Sequence, residues 1–479
     1  MFGSGLENDV LRVLYVIFQY FFIFYFLIGG ALYAIFNYLG LYQTILYGRR
    51  YSEFTLRNTL QSQLYVPISI LVPAYNEELT IVSSIQSFLS LHHPAFEVIV
   101  VSDGSKDSTV EKLENAYQLF NTPVFLYHEQ IPTQRVNRIL RSHQHQNLIV
   151  LDKENGGKSD AVNAALNMAR YPLICVVDAD SLLDIEALLR ASRLFADDPT
   201  VIAVGGTIRP LNGARVEDGQ IRELHLPETW IERLQILEYC RAFLSSRAGW
   251  ASIGALLIIS GAFGVFKRQA ILEVGGYATN TVTEDMELVV RLHKYFMQQE
   301  RPYQIVFTPD PMCWTEVPSD WATLARQRNR WHRGLIETLW THRDMLLNPR
   351  YGRLGLLAVP YFWLYEAFSP VIEVFGYGFF LLSIVSGMLD AEFAAWFLFL
   401  AVLFGVVISQ MSTLIEGLLV RRYERLQDRL ALLMLGFVEF AGYRQWLVWE
   451  RFRATFQIKR KQGQWGVMRR KGIGNTPAP

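Results

Sequence analysis

Residues 13–48 hold no Asp, Glu, Lys or Arg. The run from Val10 to Phe36, whose one charge is Arg12, outruns the ~20 apolar residues that cross a hydrocarbon slab, and it reads as a spanning helix. A cleaved secretion signal would show a shorter apolar run and a small-residue cleavage site, and the segment FQYFFIFYFLIGG has neither. Arg49 and Arg50 follow the helix while Glu7 and Asp9 precede it, so the positive-inside bias places what comes next in the cytoplasm.

A second apolar block, Leu354 to Val420, carries no Lys or Arg and is long enough for two passes. Asp390 and Glu392 beside Gly387 mark its outside turn, and Arg421, Arg422, Arg425 and Arg429 bring the chain back inside. Within the block, Glu366 and Glu373 flank Pro370. They are expected either to line a polar cavity or to sit near the headgroups around a helix broken at the proline. Leu430 to Val448, interrupted by Glu439 and Arg444, reads as a span, a re-entrant hairpin or an interfacial helix. From Arg451 onward the chain is basic without any acid, as suits an anionic inner leaflet or a plain orientation signal. The expected layout is an anchor over 1–48, a cytosolic domain over 49–350, a transmembrane or interfacial region over 351–450 and a basic tail over 451–479, in a multi-pass protein of the inner (plasma) membrane.

Composition agrees with this layout. Hydrophobic residues reach 51% and charged residues only 19%, which excludes intrinsic disorder. Lys+Arg and Asp+Glu balance at 45 each, so no global basic field recruits nucleic acid. Cys175, Cys240 and Cys313 are odd in number and far apart in apolar surroundings. They read as buried thiols of a reducing compartment, not as a disulfide framework or zinc site.

Between residues 51 and 350 the pattern changes to short Val- and Ile-rich runs: Val66 to Val72, Glu97 to Ser102, Leu148 to Leu151 and Pro172 to Val177. Helical stretches such as Glu77 to Ser90 and Lys158 to Ala169 separate them. This alternation predicts an α/β fold with parallel strands, in which ligands bind beyond the carboxyl ends of the strands. Those ends are polar and acidic: Ala74-Tyr75-Asn76-Glu77 after the first run, Asp103-Gly104-Ser105 after the second, Asp178-Ala179-Asp180 after the fourth. Two carboxylates two residues apart can hold Mg²⁺ or Mn²⁺ together with substrate phosphates, and Gly156-Gly157-Lys158 at a helix start offers amides and a cation that suit phosphate. The region therefore reads as a nucleotide site.

Two later clusters are more ambiguous. Thr283-Glu284-Asp285 opens a helical stretch and is explained equally well as an N-cap with carboxylates matched to the helix dipole. In Gln327-Arg328-Asn329-Arg330-Trp331, Gln327, Arg330 and Trp331 stand at i, i+3 and i+4, so that an amide, a guanidinium and an indole share a face able to hold a sugar and a phosphate, or to anchor at a membrane surface. Trp230 to Trp250 interleaves aromatic and aliphatic residues with charge and is expected to be an amphipathic helix that docks the central domain onto the bilayer or the transmembrane helices, or else to pack in the core.

Taken in order, Asp103, Asp178-x-Asp180, Thr283-Glu284-Asp285 and Gln327-x-x-Arg330-Trp331, flanked by apolar segments, resemble the motif set of family 2 inverting glycosyltransferases. The likeness is to their processive membrane synthases of cellulose, chitin, hyaluronan and poly-N-acetylglucosamine. The resemblance implies a GT-A fold, a Rossmann-like mixed sheet, inserted between transmembrane helices, and a UDP-sugar donor. It implies that Ala74, Tyr75, Glu77 and Asp103 contact the nucleoside, that Lys158 and Asp178 stand near the diphosphate and sugar, and that Asp180 with Asp178 binds Mg²⁺ or Mn²⁺. By the same resemblance Asp285, next to Glu284, is the catalytic base, and Gln327, Arg328, Arg330 and Trp331 frame the acceptor end and pyrophosphate. The implied partners are a nascent glycan or glycolipid acceptor, membrane lipids and an accessory export or regulatory subunit. The chain lacks the Phe-x-Val-Thr gating motif of cellulose synthases, and its tail is too short for a PilZ-like domain. Ile259 to Gly264 is closer to the poly-N-acetylglucosamine and hyaluronan type.

Overall fold

The structure, a computed structural model, describes residues 3–50, 65–124, 127–217, 219–389, 391–416, 423, 425–440 and 442–458. Arg421, Arg422, Asp390 and the tail beyond residue 458 lie outside the described residues.

Among the described residues a ten-stranded mixed sheet forms the centre, and two further strands, β9 (Ala214–Glu217) and β10 (Gln220–Leu224), pair only with each other. The parallel heart of the large sheet is β5 (Leu148–Lys153), β2 (Phe96–Asp103), β1 (Ile68–Ala74) and β6 (Leu173–Val176). These are the four apolar runs of the sequence, buried along most of their length as strands covered on both faces must be. The first starts two residues later than its apolar run because Pro67 offers no N–H to a ladder. Antiparallel strands β4 (Val136–Ser142) and β3 (Leu119–Thr122) complete one edge. On the other side β11 (Gly264–Lys267) joins β6 to β8 (Val201–Pro210), which pairs with β12 (Gln304–Thr315) and through it β7 (Ser181–Leu183). The sheet is thus mixed, with parallel order where the nucleotide-type loops sit.

The N-terminal apolar segment is one helix, α1 (Gly3–Arg50), and Val13–Arg50 is long and apolar enough to cross a membrane. Its C-terminal part is clamped to the sheet domain. Tyr47 donates its hydroxyl to Asp310 at 2.7 Å, and Phe36 stacks on Trp250 with centroids 3.9 Å apart. Gly40 and Gly249 allow this approach. A Cβ on Gly40 would lie 2.5 Å from the Ser245 carbonyl oxygen, and one on Gly249 would lie 2.4 Å from that of Phe36. The Trp230 to Trp250 stretch supplies the other half of the contact as α2 (Trp230–Cys240), a π-helical segment Arg241–Arg247 and α3 (Ala248–Ser252). It docks on the apolar helices, as its pattern suggests.

The C-terminal block is more broken than hydropathy implies. Leu354–Ala367 and α4 (Ser369–Val385) are long and apolar enough to cross a membrane only as a pair, bent by 45°. The break falls at Phe368, and Pro370 takes the first turn of the new helix, where its missing N–H costs nothing. Glu366 meets Arg451 at 3.1 Å and Glu373 accepts from Ser369 at 2.5 Å, so both carboxylates have partners. After α5 (Ala391–Ile415), Leu430 to Val448 divides into α6 (Leu426–Val438) and α7 (Tyr443–Thr455), separated at Gly442. The division follows Glu439, which turns inward to Arg241 at 2.7 Å and to Ser409. Arg209 of β8 is likewise held by Glu416. Buried ion pairs thus tie the sheet domain to the C-terminal helices. Removing one partner strands the other charge, so Glu439→Ala is expected to cost about 3–5 kcal/mol and to lower the melting temperature in detergent. An unchanged melting point would show that water reaches Arg241.

Candidate active site

The loops at the carboxyl ends of β1 and β2 are laced together. Asn76, in the left-handed region at φ 56, receives the Lys106 amide on its side chain at 2.8 Å. The Glu77 amide donates to Thr109 at 2.9 Å. Tyr75 stands exposed, Ala74 is buried and Glu77 half-buried. This lacing delays the following helix, which spans Ile81–Leu89 and not the whole of 77–90.

Asp103 ends β2 almost fully buried. One oxygen accepts from Lys153 at 2.6 Å and from the Gly156 amide at 2.9 Å; the other accepts from the Gly157 amide at 2.7 Å. Lys153 also meets Asp160 at 2.5 Å. The Gly156 and Gly157 amides, which the sequence offered to phosphate, are therefore occupied by Asp103. The carboxylate shapes the loop that presents Lys158, with Gly157 at φ 88 making its turn. Lys153 and Asp160 escaped the sequence reading. The signal for Lys153 was the Asp152-Lys153 pair that closes an otherwise apolar strand.

Lys158 reaches Asp178 at 2.6 Å, Glu284 at 3.2 Å and the Gly261 carbonyl at 3.4 Å. Asp285 accepts from the Gly261 amide at 2.8 Å on one oxygen and from the Met286 amide at 2.9 Å on the other. Burial opposes the Lys158 charge, but Asp178, Glu284 and Asp285 outweigh it and hold its pKa above the usual lysine value. Burial raises that of Glu284, with Asp285 adding to the rise and Lys158 and Arg330 opposing it. Segments some hundred residues apart thus converge on one pocket, lined by Lys158, Gly261, Tyr277, Glu284 and Asp285. Thr283 is the N-cap residue of the helix Glu284–Gln298, yet its side chain makes no cap bond, so capping alone does not explain this acidic pair.

The helix Trp321–Thr341 lies against that cluster. Its crossing point is Gly334, where a Cβ would fall 2.2 Å from Thr283. Gly334→Ala is expected to push the helix off the Glu284–Asp285 turn and to lower kcat at least about tenfold, an effect of the size of ordinary core overpacking; steady-state kinetics with a thermal melt checks it. Arg330 donates to the Val282 carbonyl at 3.4 Å and acts on Glu284. Gln327 is buried with its Oε1 unpartnered, and Trp331 is 38% exposed. Arg328 turns elsewhere: it binds Glu238 at 2.8 Å and covers the Trp331 ring at 4.3 Å. Among the motif residues, then, Lys158 pairs with Asp178 and Glu284, Asp285 is held at the Gly261 amide beside Lys158, Arg330 bonds to the Val282 carbonyl next to that turn, and Arg328 faces α2.

Asp180 is buried beside Asp178 and receives the Ser181 hydroxyl at 3.4 Å. Among the described residues no group of three or more His, Cys, Asp or Glu forms a self-sufficient cage. An all-oxygen pair at a strand end nevertheless fits a hard divalent ion that shares its coordination with phosphate.

A mixed sheet with nucleotide-type loops and acidic strand ends defines a GT-A fold. The chain belongs to the family described as glycosyltransferase like family 2, whose model matches residues 66–334, more than half its length. It is 28% identical over 309 residues to the poly-β-1,6-N-acetyl-D-glucosamine synthases of Staphylococcus aureus (strain COL) and Staphylococcus epidermidis, which covers 64% of this chain and 62% of theirs. The chain thus matches less than two thirds of the length of these relatives. A mannosyltransferase from Pyrobaculum calidifontis, solved with GDP-Man and Mn²⁺, superposes with a TM-score of 0.51 at 20% identity over 86% of this chain and 99% of that one, a likeness of fold.

Proposed function

We propose that the chain transfers a sugar from a UDP-sugar, with inversion, to a growing β-linked polysaccharide at the cytoplasmic face of the plasma membrane. The convergence of Lys158, Glu284 and Asp285 on one pocket, with Asp178 paired to Lys158, carries this reading. The names of the relatives favour N-acetylglucosamine as the sugar.

Asp285 acts as the base. Two backbone amides fix its carboxylate so that it can take the proton of an acceptor hydroxyl. The acceptor oxygen bonds to the anomeric carbon as the bond to the diphosphate breaks, and no covalent sugar–enzyme intermediate is required. Lys158, kept charged by its acidic neighbours, supports the negative charge that gathers on the leaving diphosphate. Asp178 and Asp180 would hold Mg²⁺ or Mn²⁺, which when bound neutralises that same charge. Ala74, Tyr75, Glu77 and Asp103 form the nucleoside side, while Gln327, Arg330 and Trp331 form the acceptor side, with Arg328 bracing Trp331. Helix α1 anchors the cytosolic domain, and the helices after residue 350 supply further passes and a route for the product, with lipids and an accessory export or regulatory subunit as partners.

The test is incubation of the purified full chain with a panel of UDP-sugars, followed by sizing and linkage analysis. High-mass β-linked polymer is expected. A single sugar on a membrane lipid would establish a non-processive transferase instead.

A further inference from the structure

The helix that carries Gln327, Arg330 and Trp331 is held on two sides. On one side Gly334 lets it rest on Thr283, at the turn that presents Glu284 and Asp285. On the other it lies along α7, the last helix among the described residues. Trp321 meets the Trp446 ring edge-on at 4.7 Å, and Glu238, the partner of Arg328, also accepts from the Tyr443 hydroxyl at 3.0 Å. Asn329 donates to the Gln457 side chain, just past the end of α7, at 3.0 Å.

A further attachment, at His332, reaches the membrane helices. His332 is buried between Trp331 and Gly334 in the chain. Its Nδ1 accepts from Arg451 Nε at 3.4 Å. Since a guanidinium only donates, the ring proton sits on Nε2, which donates to the Thr455 hydroxyl at 2.9 Å. That hydroxyl donates to the Arg451 carbonyl at 3.2 Å and closes the loop. Arg451 Nη2 turns the other way and donates to the Glu366 backbone carbonyl at 2.5 Å and to its carboxylate at 3.1 Å. Glu366 stands two residues before Phe368, where the membrane pair bends. One guanidinium thus bridges that bend and the helix Trp321–Thr341.

We infer that Arg451 is a positioning residue for processive transfer: by tying His332 to Glu366 it keeps Gln327 and Trp331 in line with the bent membrane pair, so that the glycan end stays at Asp285 from one displacement to the next. The inference rests on the transferase reading above, with a polymer as product. After each displacement the glycan is longer by one sugar and moves outward by that length, while its new end takes the place of the old one beside the base. The groups that frame this end lie on the helix Trp321–Thr341, whereas the route for the product lies among the helices past residue 350. Loosening one against the other misplaces the reacting hydroxyl, and a shift of about 1 Å can cost about 10²-fold. A planar fork with donors in fixed directions holds two elements at once, which a single ammonium does not. The strut is also dispensable for folding in a way that the Glu439–Arg241 pair is not. The Arg451 and Glu366 side chains are 28% and 36% exposed, so cutting their pairing strands no charge in the core.

The test uses the full chain in detergent with the same panel of UDP-sugars, reading product length by sizing and UDP affinity by calorimetry. Arg451→Gln is expected to shorten the mean product about fivefold or more, as a misplaced acceptor end is lost between turnovers, while UDP affinity stays within about twofold of the parent. Glu366→Gln should shorten the product less, because its backbone carbonyl still accepts, and adding it to Arg451→Gln should change nothing further, since the two act as one unit. Arg451→Lys is expected to recover part of the length, as it keeps the charge and loses the fork. Unchanged product length, a fall in UDP affinity as large as the fall in length, or a double variant whose two effects simply add overturns the inference. If Arg451→Gln does not elute as a folded species, Glu366→Gln and Arg451→Lys decide by the same two readouts. A parent protein that makes no polymer from any UDP-sugar refutes the reading on which this inference rests, and the inference with it, whereas polymer of parental length from the variants refutes the inference alone.

Discussion

Asp285→Asn is expected to bind UDP within about twofold of the parent protein and to lose about 10²- to 10⁴-fold in kcat, the range over which a positioned base contributes. The asparagine is nearly isosteric and can still accept the Gly261 amide from its side-chain oxygen, so the pocket keeps its shape. What disappears is the group that receives the proton. Equal losses in UDP affinity and turnover would instead place Asp285 among the groups that merely bind the donor. Glu284 provides the contrast. It is buried and paired with Lys158 at 3.2 Å, so its removal should disturb the lysine and with it donor binding.

Asp180→Asn is expected to lower kcat by about 10²- to 10³-fold, since a divalent ion contributes several kcal/mol of charge stabilisation and each 1.36 kcal/mol is tenfold in rate. A chelator should abolish turnover of the parent protein, and added Mn²⁺ or Mg²⁺ should restore it. Restoration of the variant should need far more ion than the parent does. Full turnover by the parent in the chelator would remove Asp178 and Asp180 from the metal role and leave Lys158 as the main support for the leaving group.

The sheet was legible because its parallel strands are buried on both faces, which forces the continuous apolar runs visible at Val98–Val101 and Leu148–Leu151. The strand ends were legible for a related reason: Asp103, Asp178 and Asp180 follow those runs directly. Antiparallel edge strands such as β3 and β4 were not, because Phe120 and Arg138 lie partly in solvent and break the pattern. The Asp103–Lys153–Asp160 network was hidden because it pairs side chains whose spacing in sequence follows no period; only the fold brings them within 2.6 Å. Gly261 and Gly334 show the same limit. A Cβ at Gly334 would collide with Thr283 and one at Gly261 would crowd Lys158 and Asp285 at 3.1 and 3.3 Å, and nothing adjacent in sequence announces Lys158 or Thr283 as the neighbour. Hydropathy located the apolar C-terminal block, and Pro370 and Glu439 marked where it breaks; what the sequence hid was that Glu439 is held by Arg241 and Ser409, partners that only the fold brings near.

The displacement at Asp285 has one stereochemical consequence, readable by proton NMR on the bond formed from an α-linked UDP-sugar. The account predicts a β-linkage whose anomeric coupling appears from the first turnover. An α-linkage would mean retention, require a nucleophile other than the acceptor hydroxyl, and contradict the assignment of Asp285 as the base.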